Sequence, residues 1–272
     1  MIKGIDVSAH NGVIDWDKVV NSGIGFAIIR IGIGSDMKSQ DDKQALANIK
    51  ACEERGIPWG VYIYSYALTL AEVASEAAHT IRMIKGFNPP LGVWFDMEDA
   101  DKYKAKSGMN VYKSKALLTE FCVSFMKQLK AAGYKNVGVY ANYDYFKNVL
   151  DINQIKAVGK IWLAHWGISK PSMPCELWQY ASDGTVPGIK GRVDMNYYYG
   201  TEIESAPVVK KEYYPKFDTT LIGALNHLGI DSSFAHRKKI AEANKIATNY
   251  TGTALQNTKM LDLLKAGKLI KP

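Results

Sequence analysis

Eight short runs rich in β-branched and aromatic residues punctuate the first three quarters of the chain: "KGIDVS", "GFAIIRIGIG", "WGVYIYSYA", "LGVWFDMED", "NVGVYAN", "KIWLAHW", "ELWQYAS" and "RVDMNYYYG". Between the first six lie five stretches with helical spacing, beginning near Asp15, Gln40, Thr69, Tyr112 and Tyr143. Several end at a glycine suited to a helix C-cap: Gly23, Gly56, Gly86 and Gly133. Alternating strand and helix requires a parallel sheet, because a parallel neighbour is reached only through a crossover. Eight strands point to closure. The last three runs have no helix between them, so the fold class is read as α/β, a modified (β/α) barrel with a degenerate final third, ending near Gly200.

Composition shifts after "YYYGTEIESAPVVKKEYYPKFDTT", and charged, proline-containing sequence without a clear period reads as a linker over residues 201–217. A second module follows over residues 218–272. Its apolar residues at Leu221, Ile222, Leu225 and Leu228, then Ile240, Ala243 and Ile246, then Met260, Leu261, Leu263 and Leu264 fit three short amphipathic helices.

The 34 basic and 27 acidic residues give a net charge of +7, which favours a polyanionic partner. No basic run exceeds the three residues Arg237, Lys238 and Lys239, and no nucleic-acid fingerprint occurs, so an anionic wall polymer fits better than DNA or RNA. The residues after Thr201 carry the larger excess per residue. Arg237 and Lys238 are therefore candidate wall contacts, with Phe234 and Tyr250 as aromatic alternatives. Cys52, Cys122 and Cys175 are odd in number and far apart, which reads as reduced core thiols rather than a disulfide framework or a zinc site. No run of ~18 apolar residues occurs, so no membrane insertion is expected, and the chain opens on a strand rather than a signal peptide.

"VWFDMEDA" ends an apolar run in three acids, Asp96, Glu98 and Asp99. In barrels of this class, side chains at the carboxyl ends of strands face the catalytic mouth. Asp96 and Glu98 are two apart, so on a strand they share a side, ~6.6 to 6.8 Å between Cα atoms. Two carboxyls so close cannot both ionise freely; one pKa rises, giving a general acid beside an anion, as glycoside hydrolysis needs. Asp99 faces away or begins the loop. Asp6 in "GIDVS" and Asp194 in "RVDMN" fall at the corresponding place on the first and last strands, which adjoin when a barrel closes.

Aromatic faces stack on sugar rings, and Tyr62, Tyr64 and Tyr66 alternate along the third strand, Trp178 and Tyr180 along the seventh. Tyr140 on the fifth strand joins the candidate substrate contacts. Arg30 interrupts an apolar strand, which points to a buried ion pair with a site carboxylate. His10, in "VSAHNG", reads equally as a loop hydrogen-bonder or a ligand.

"GIDVSAHNGVIDW", "FDMED" and "ELWQYASDGTVPGIKGRVDMNYY" resemble, in order and position, the Chalaropsis-type lysozymes of glycoside hydrolase family 25, over residues 1 to about 200. The resemblance implies a TIM-like (β/α)5(β)3 barrel that cleaves the β-1,4 bond between N-acetylmuramic acid and N-acetylglucosamine in peptidoglycan, without a cofactor or metal. It implies Glu98 as general acid/base. Asp96 would be the second catalytic carboxylate, orienting the substrate's N-acetyl group or stabilising an oxocarbenium-like centre, with Asp6 and Asp194 completing the acidic cluster. Carboxyl separation decides between covalent, substrate-assisted and inverting routes, and the sequence leaves all three open. At "WLAHW" the chain departs from the family, which often has Tyr where Trp166 stands and does not usually carry His165.

The tail resembles a wall-binding module at the C-terminus of endolysins from phages of Bacillus and Clostridium relatives. Together the parts imply a phage endolysin, made in the host cytoplasm without a signal peptide and released to the wall through a holin. Its partners would be peptidoglycan and associated wall polymers. Host, wall ligand and oligomeric state are not set by the sequence.

Two rival readings differ in class. A metal-dependent wall hydrolase could use acids at a barrel mouth, but no H-x-H or H-E-x-x-H occurs, and chelator-insensitive activity would exclude it. A non-catalytic wall lectin has no need of four crowded anions; release of reducing ends from purified walls would exclude that one.

Overall fold

The computed structural model describes residues 1–200, 213–217, 219–247 and 249–272. All eight runs form strands: β1 (Ile2–Val7), β2 (Phe26–Ile33), β3 (Trp59–Tyr64), β4 (Val93–Asp96), β5 (Val137–Asn142), β6 (Lys160–Ala164), β7 (Leu177–Gly184) and β8 (Val193–Tyr198). They pair in sequence order into a closed barrel. β1 to β7 are parallel neighbour to neighbour, whereas β8 runs antiparallel to both β7 and β1. That reversal follows from the short connection: residues 165–176 give β7 a helix-free loop long enough to cross over, whereas only residues 185–192 separate β7 from β8, too few for a crossover, so β8 returns antiparallel.

The helices of this unit are α1 (Trp16–Asn21), α2 (Ala45–Arg55), α3 (Leu70–Met83), α4 (Tyr103–Lys106), α5 (Lys115–Ala131) and α6 (Ile152–Val158). Asp15 and Thr69 start α1 and α3 as N-caps, Thr69 in a reciprocal capping box with Glu72. α2 and α5 begin later than their spacing predicts because Lys38–Gln40 and Val111–Lys113 wind first as single 3-10 turns. The stretch near Tyr143 opens as a π-turn, Tyr145–Val149, before α6.

Strand parity divides the core in two. Outward residues such as Ile5, Ile29, Val61, Val93, Phe95 and Val139 pack under the helices, with Phe95 stacked on Phe125 of α5 at 4.2 Å. Inward residues Phe26, Ile28, Trp94, Tyr140, Trp162, Leu177 and Tyr198 fill the barrel. The Trp94 ring fits because a facing position is bare: Gly138 pairs with Trp94 across β4 and β5, and a Cβ there would strike the Trp94 ring and lie 2.7 Å from the Lys160 carbonyl oxygen. Backbone cannot yield as a side chain can. Gly138→Ala is therefore expected to cost about 1–3 kcal/mol, read as a lower melting temperature; an unchanged one would show that the barrel interior repacks freely.

The chain divides into two compact units, Met1–Val208 and Val209–Pro272. In the second, α7 (Leu221–His227), α8 (Phe234–Ala243) and α9 (Ala254–Lys265) enclose Leu221, Leu225, Ile240, Tyr250, Met260 and Leu264. The three expected helices are there. The expected linker needs correction: residues 201–212 and Asp218 lie outside the described residues, but 213–217 belong to this unit. Tyr213 bridges to Ile270, Tyr214 is buried and Phe217 packs against the core. Cys52 and Cys122 are buried thiols as expected, but Cys175 is only half-buried. No described helix is long and apolar enough to cross a membrane.

Candidate active site

β1 ends in Asp6-Val7 and β4 in Asp96, with Glu98 two residues further on, so three of the four expected acids reach the carboxyl-end mouth on parallel strands. Asp194 arrives differently. It lies near the start of the reversed strand β8, and the register that pairs it with Asp6 brings it to the same rim. All four line one cavity of about 290 Å³, together with Arg30, Tyr62, Tyr64, Tyr140, Trp162, Trp166 and Gln179. A wider groove of about 500 Å³ shares Glu98, Tyr140 and Trp166 and continues past Tyr143, Asp144 and His165.

A chain of hydrogen bonds fixes which acid is the anion. Trp166 Nε1 donates to Gln179 Oε1 (3.1 Å), and Trp162 Nε1 donates to Asn196 Oδ1 (2.8 Å). An indole N–H only donates, so both amide oxygens are committed and both NH2 groups must face the other way. Both face Asp6: Gln179 Nε2 and Asn196 Nδ2 donate to its Oδ2 at 2.9 and 2.7 Å. Tyr140 reinforces the set by donating to Gln179 Oε1 (3.0 Å). Asp6 therefore receives two donors that favour its charged form. Asp96 receives none, and its Oδ1 is buried without a hydrogen-bond partner among the described residues.

The acidities follow. Burial pushes the Asp6 carboxyl up to about 6, restrained by Gln179 and Asn196. Glu98 rises to about 7 through burial, with the charge of Lys104 opposing and those of Asp6, Asp101 and Asp99 adding. Asp194 rises to about 8 through burial and then the charges of Asp6 and Glu98. Asp96 is held well above the carboxylate range by burial first and the Glu98 charge second. Near neutral pH the cluster is thus part protonated, with the first negative charge settling on Asp6.

Folded-state pKa values above their unfolded ones mean that the folded chain binds more protons between about pH 4 and 8, so stability falls as pH rises through that window. The melting temperature is expected to be several degrees higher near pH 5 than near pH 8. A flat profile over that range would show that the four carboxyls ionise as they do in the unfolded chain.

Residues 5–189 match the family described as glycosyl hydrolases family 25. The chain belongs to that family. It is accordingly a glycoside hydrolase. Lysozyme M1 of Streptomyces globisporus is 27% identical over 209 residues, covering 74% of this chain and 68% of that protein. The structure of the modular autolysin LytC from Streptococcus pneumoniae, in complex with a synthetic peptidoglycan ligand, superposes with a TM-score of 0.61 at 30% identity. That match covers 73% of this chain and 46% of LytC, so the chain spans about half the autolysin's length. A 48-residue stretch is 54% identical to the L-alanyl-D-glutamate peptidase of Listeria phage A118, 18% of this chain and 17% of that one.

Of the aromatic residues expected at the site of this family 25 chain, Tyr62, Tyr64, Tyr140 and Trp166 line the cavity. Trp166 is 52% exposed and offers its face to the groove, where His165 stacks on Tyr143 at 4.7 Å. Trp178 does not belong to the site. Parity places its neighbours Leu177 and Gln179 inside the barrel, so Trp178 points outward, packs among Tyr180 and Tyr197, and donates to the His165 carbonyl. Tyr66, beyond the strand end, leans on Tyr64 and donates to Asp101 (2.8 Å). Arg30 also needs correction: it lines the cavity, but its ion pair is with Asp42 (3.0 Å), not with one of the four acids. His10 is exposed, on the single 3-10 turn Ala9–Asn11 that follows β1. Asp99 turns away, accepting from the backbone N–H groups of Lys104 and Ala105.

Five contributors escaped sequence reading. Trp162, Gln179 and Asn196 lie at the inward parity of β6, β7 and β8, Gln179 next to the noticed Trp178 and Asn196 two positions from Asp194, and that parity was the available signal. Asp42, in a loop, and Lys104, on the single turn of α4, lie among other charged residues, where nothing local distinguishes them.

In the second unit the expected wall contacts separate. Lys238 and Lys239 are exposed on α8, and Phe234 is 50% exposed. Arg237 is half-buried, donating to Asn257. Tyr250 is a core residue: 2% exposed, tilted against Phe234 with ring centroids 5.3 Å apart, with its hydroxyl donating to Asn257 (2.6 Å). Its replacement would test packing and not ligand contact.

Proposed function

We propose that this chain hydrolyses peptidoglycan as a lysozyme, cleaving the β-1,4 bond between N-acetylmuramic acid and N-acetylglucosamine, with Glu98 as the general acid. The observation that carries this reading is the division of labour among the four carboxyls. Asp6 is furnished with two donors and serves as the fixed anion. Glu98, on the border between cavity and groove and with an acidity near neutrality, can deliver a proton to a glycosidic oxygen that spans the two. Asp96 lines the same cavity, with its Oδ1 buried and without a partner among the described residues. Similarity to lysozyme M1 and to LytC, solved with a peptidoglycan ligand, supports the substrate class.

Mass spectrometry of borohydride-reduced wall digests tests the bond. Reduced muramic acid at the new ends is expected; reduced glucosamine, or free stem peptides, would overturn the assignment.

The tail is read as the wall-binding part of an endolysin. It has its own core and carries exposed lysines. Wall attachment through Lys238 and Lys239 would weaken as salt shortens the Debye length to ~3 Å at 1 M. The full chain carrying Lys238→Glu and Lys239→Glu is expected to sediment poorly with walls at low salt. Salt-resistant binding that is lost instead in Phe234→Ala would replace charge with ring stacking as the mode of attachment.

A further inference from the structure

Lys104 is a lysine with almost no access to water. It is 1% exposed, yet it comes from α4, a single helical turn in the loop between β4 and α5. Its ammonium donates to two backbone carbonyls, that of Ser65 just beyond β3 (2.5 Å) and that of Glu98 just beyond β4 (2.9 Å). The loop is folded back to allow this: both oxygens of Asp99 hold the N–H groups of Lys104 and Ala105. Behind Ser65 lies Glu76 of α3, also fully buried, accepting from the Ser65 hydroxyl (2.8 Å) and the Tyr66 N–H (2.7 Å).

An ammonium removed from water needs a reason to stay charged, because burial alone drives it toward the neutral amine. The groups packed around it are Glu76 from α3, Asp96 from the end of β4 and Asp99 from the loop, with the buried, uncharged Cys122 of α5 alongside. From the other side, the groups acting on Glu98 are Lys104, Asp6, Asp101 and Asp99. Lys104 is the cation in that set, and it also grips the main chain of Glu98.

We infer that Lys104 is a positioning residue for the catalytic pair: it ties the ends of β3 and β4 together beneath the site, fixes the Glu98 backbone, and sets a positive charge among the buried carboxyls. The inference rests on Glu98 being the general acid. Its ammonium makes the ionised form of Glu98 easier to reach, in opposition to burial. Without it the carboxyl stays protonated to higher pH, and the alkaline limb of the rate profile moves up with it.

The test compares three full-chain variants with the natural protein: Lys104→Met, the pair Lys104→Met with Glu76→Gln, and Glu98→Gln. The readouts are melting temperature and kcat/KM on purified peptidoglycan from about pH 4 to 9, a range that brackets both limbs. Lys104→Met is expected to melt lower, since it leaves Glu76 buried without its cation. The pair, in which both charges are gone, recovers most of that loss. In each the alkaline limb shifts upward by about one pH unit. A folded pair with an unmoved limb overturns the inference, and so does a pair that fails to fold, because charge balance would then not be what Lys104 supplies. Glu98→Gln separates this failure from the other one: if it keeps the natural rate and profile, the assignment of the acid has failed, whatever Lys104 does.

Discussion

Glu98→Gln is expected to lower turnover on purified walls by a factor on the order of 10² to 10⁴, with the fold intact and the melting temperature at pH 8 no lower than in the natural protein. The side chain keeps its size, and its half-buried place beyond β4 tolerates an amide. What it loses is an ionisable proton. At an acidity of about 7 the natural carboxyl is near half protonated at neutral pH, which lets one group give a proton to the leaving oxygen and later take one from water. Removing a carboxyl that burial makes reluctant to ionise also relieves the fold, which is why stability is not expected to fall. Asp99→Asn is the contrasting case within the same tripeptide. Both its oxygens serve backbone N–H groups of α4, so its loss should appear in stability before chemistry. Natural turnover in Glu98→Gln would remove Glu98 from the role of acid.

The barrel was legible because its signals are periodic. Strand and helix alternate, Asp15 and Thr69 announce helix starts in their own hydrogen-bonding chemistry, and barrel closure puts the strands that carry Asp6 and Asp194 side by side. The direction of β8 was not specified by its residues. It is set by the short connection before it, residues 185–192, and its reversal is what brings Asp194, near the start of the strand, to the mouth beside Asp6. The site was legible where a charge interrupts an apolar run and illegible where parity decides. On β7 the large rings of Trp178 and Tyr180 drew attention to one face, whereas the barrel presents the other, on which the modest amide of Gln179 does more for Asp6 than any ring. Arg30 was correctly read as partnered, but Asp42 lies only twelve residues on and reaches it from the loop after β2. Lys104 had no signal at all. In "DADKYKAK" it is one charge among several, and only the fold of the loop takes it out of water while its neighbours Lys102 and Lys106 remain exposed.

Asp96→Asn should separate stability from activity more sharply than any other change in the cluster. Asp96 ends β4 at 4% exposure, has an oxygen with no partner among the described residues, and is pushed far above the carboxylate range by burial and then by Glu98. Burial and the Glu98 charge both favour its neutral form in the free protein, and asparagine, of nearly the same shape and always neutral, fits the same place. The melting temperature at pH 8 is expected to rise, because the unfolded chain no longer gains by ionising a residue that the folded chain keeps protonated. Turnover is expected to fall by a factor on the order of 10² to 10³, because a carboxyl can become an anion as positive charge develops on the sugar and an amide cannot. The two effects have opposite signs, which a purely structural residue would not produce: loss of packing lowers both. A variant that melts higher and still keeps half the natural rate would mean that Asp96 never carries charge during the reaction, and that Asp6, fixed by Gln179 and Asn196, is the anion that matters.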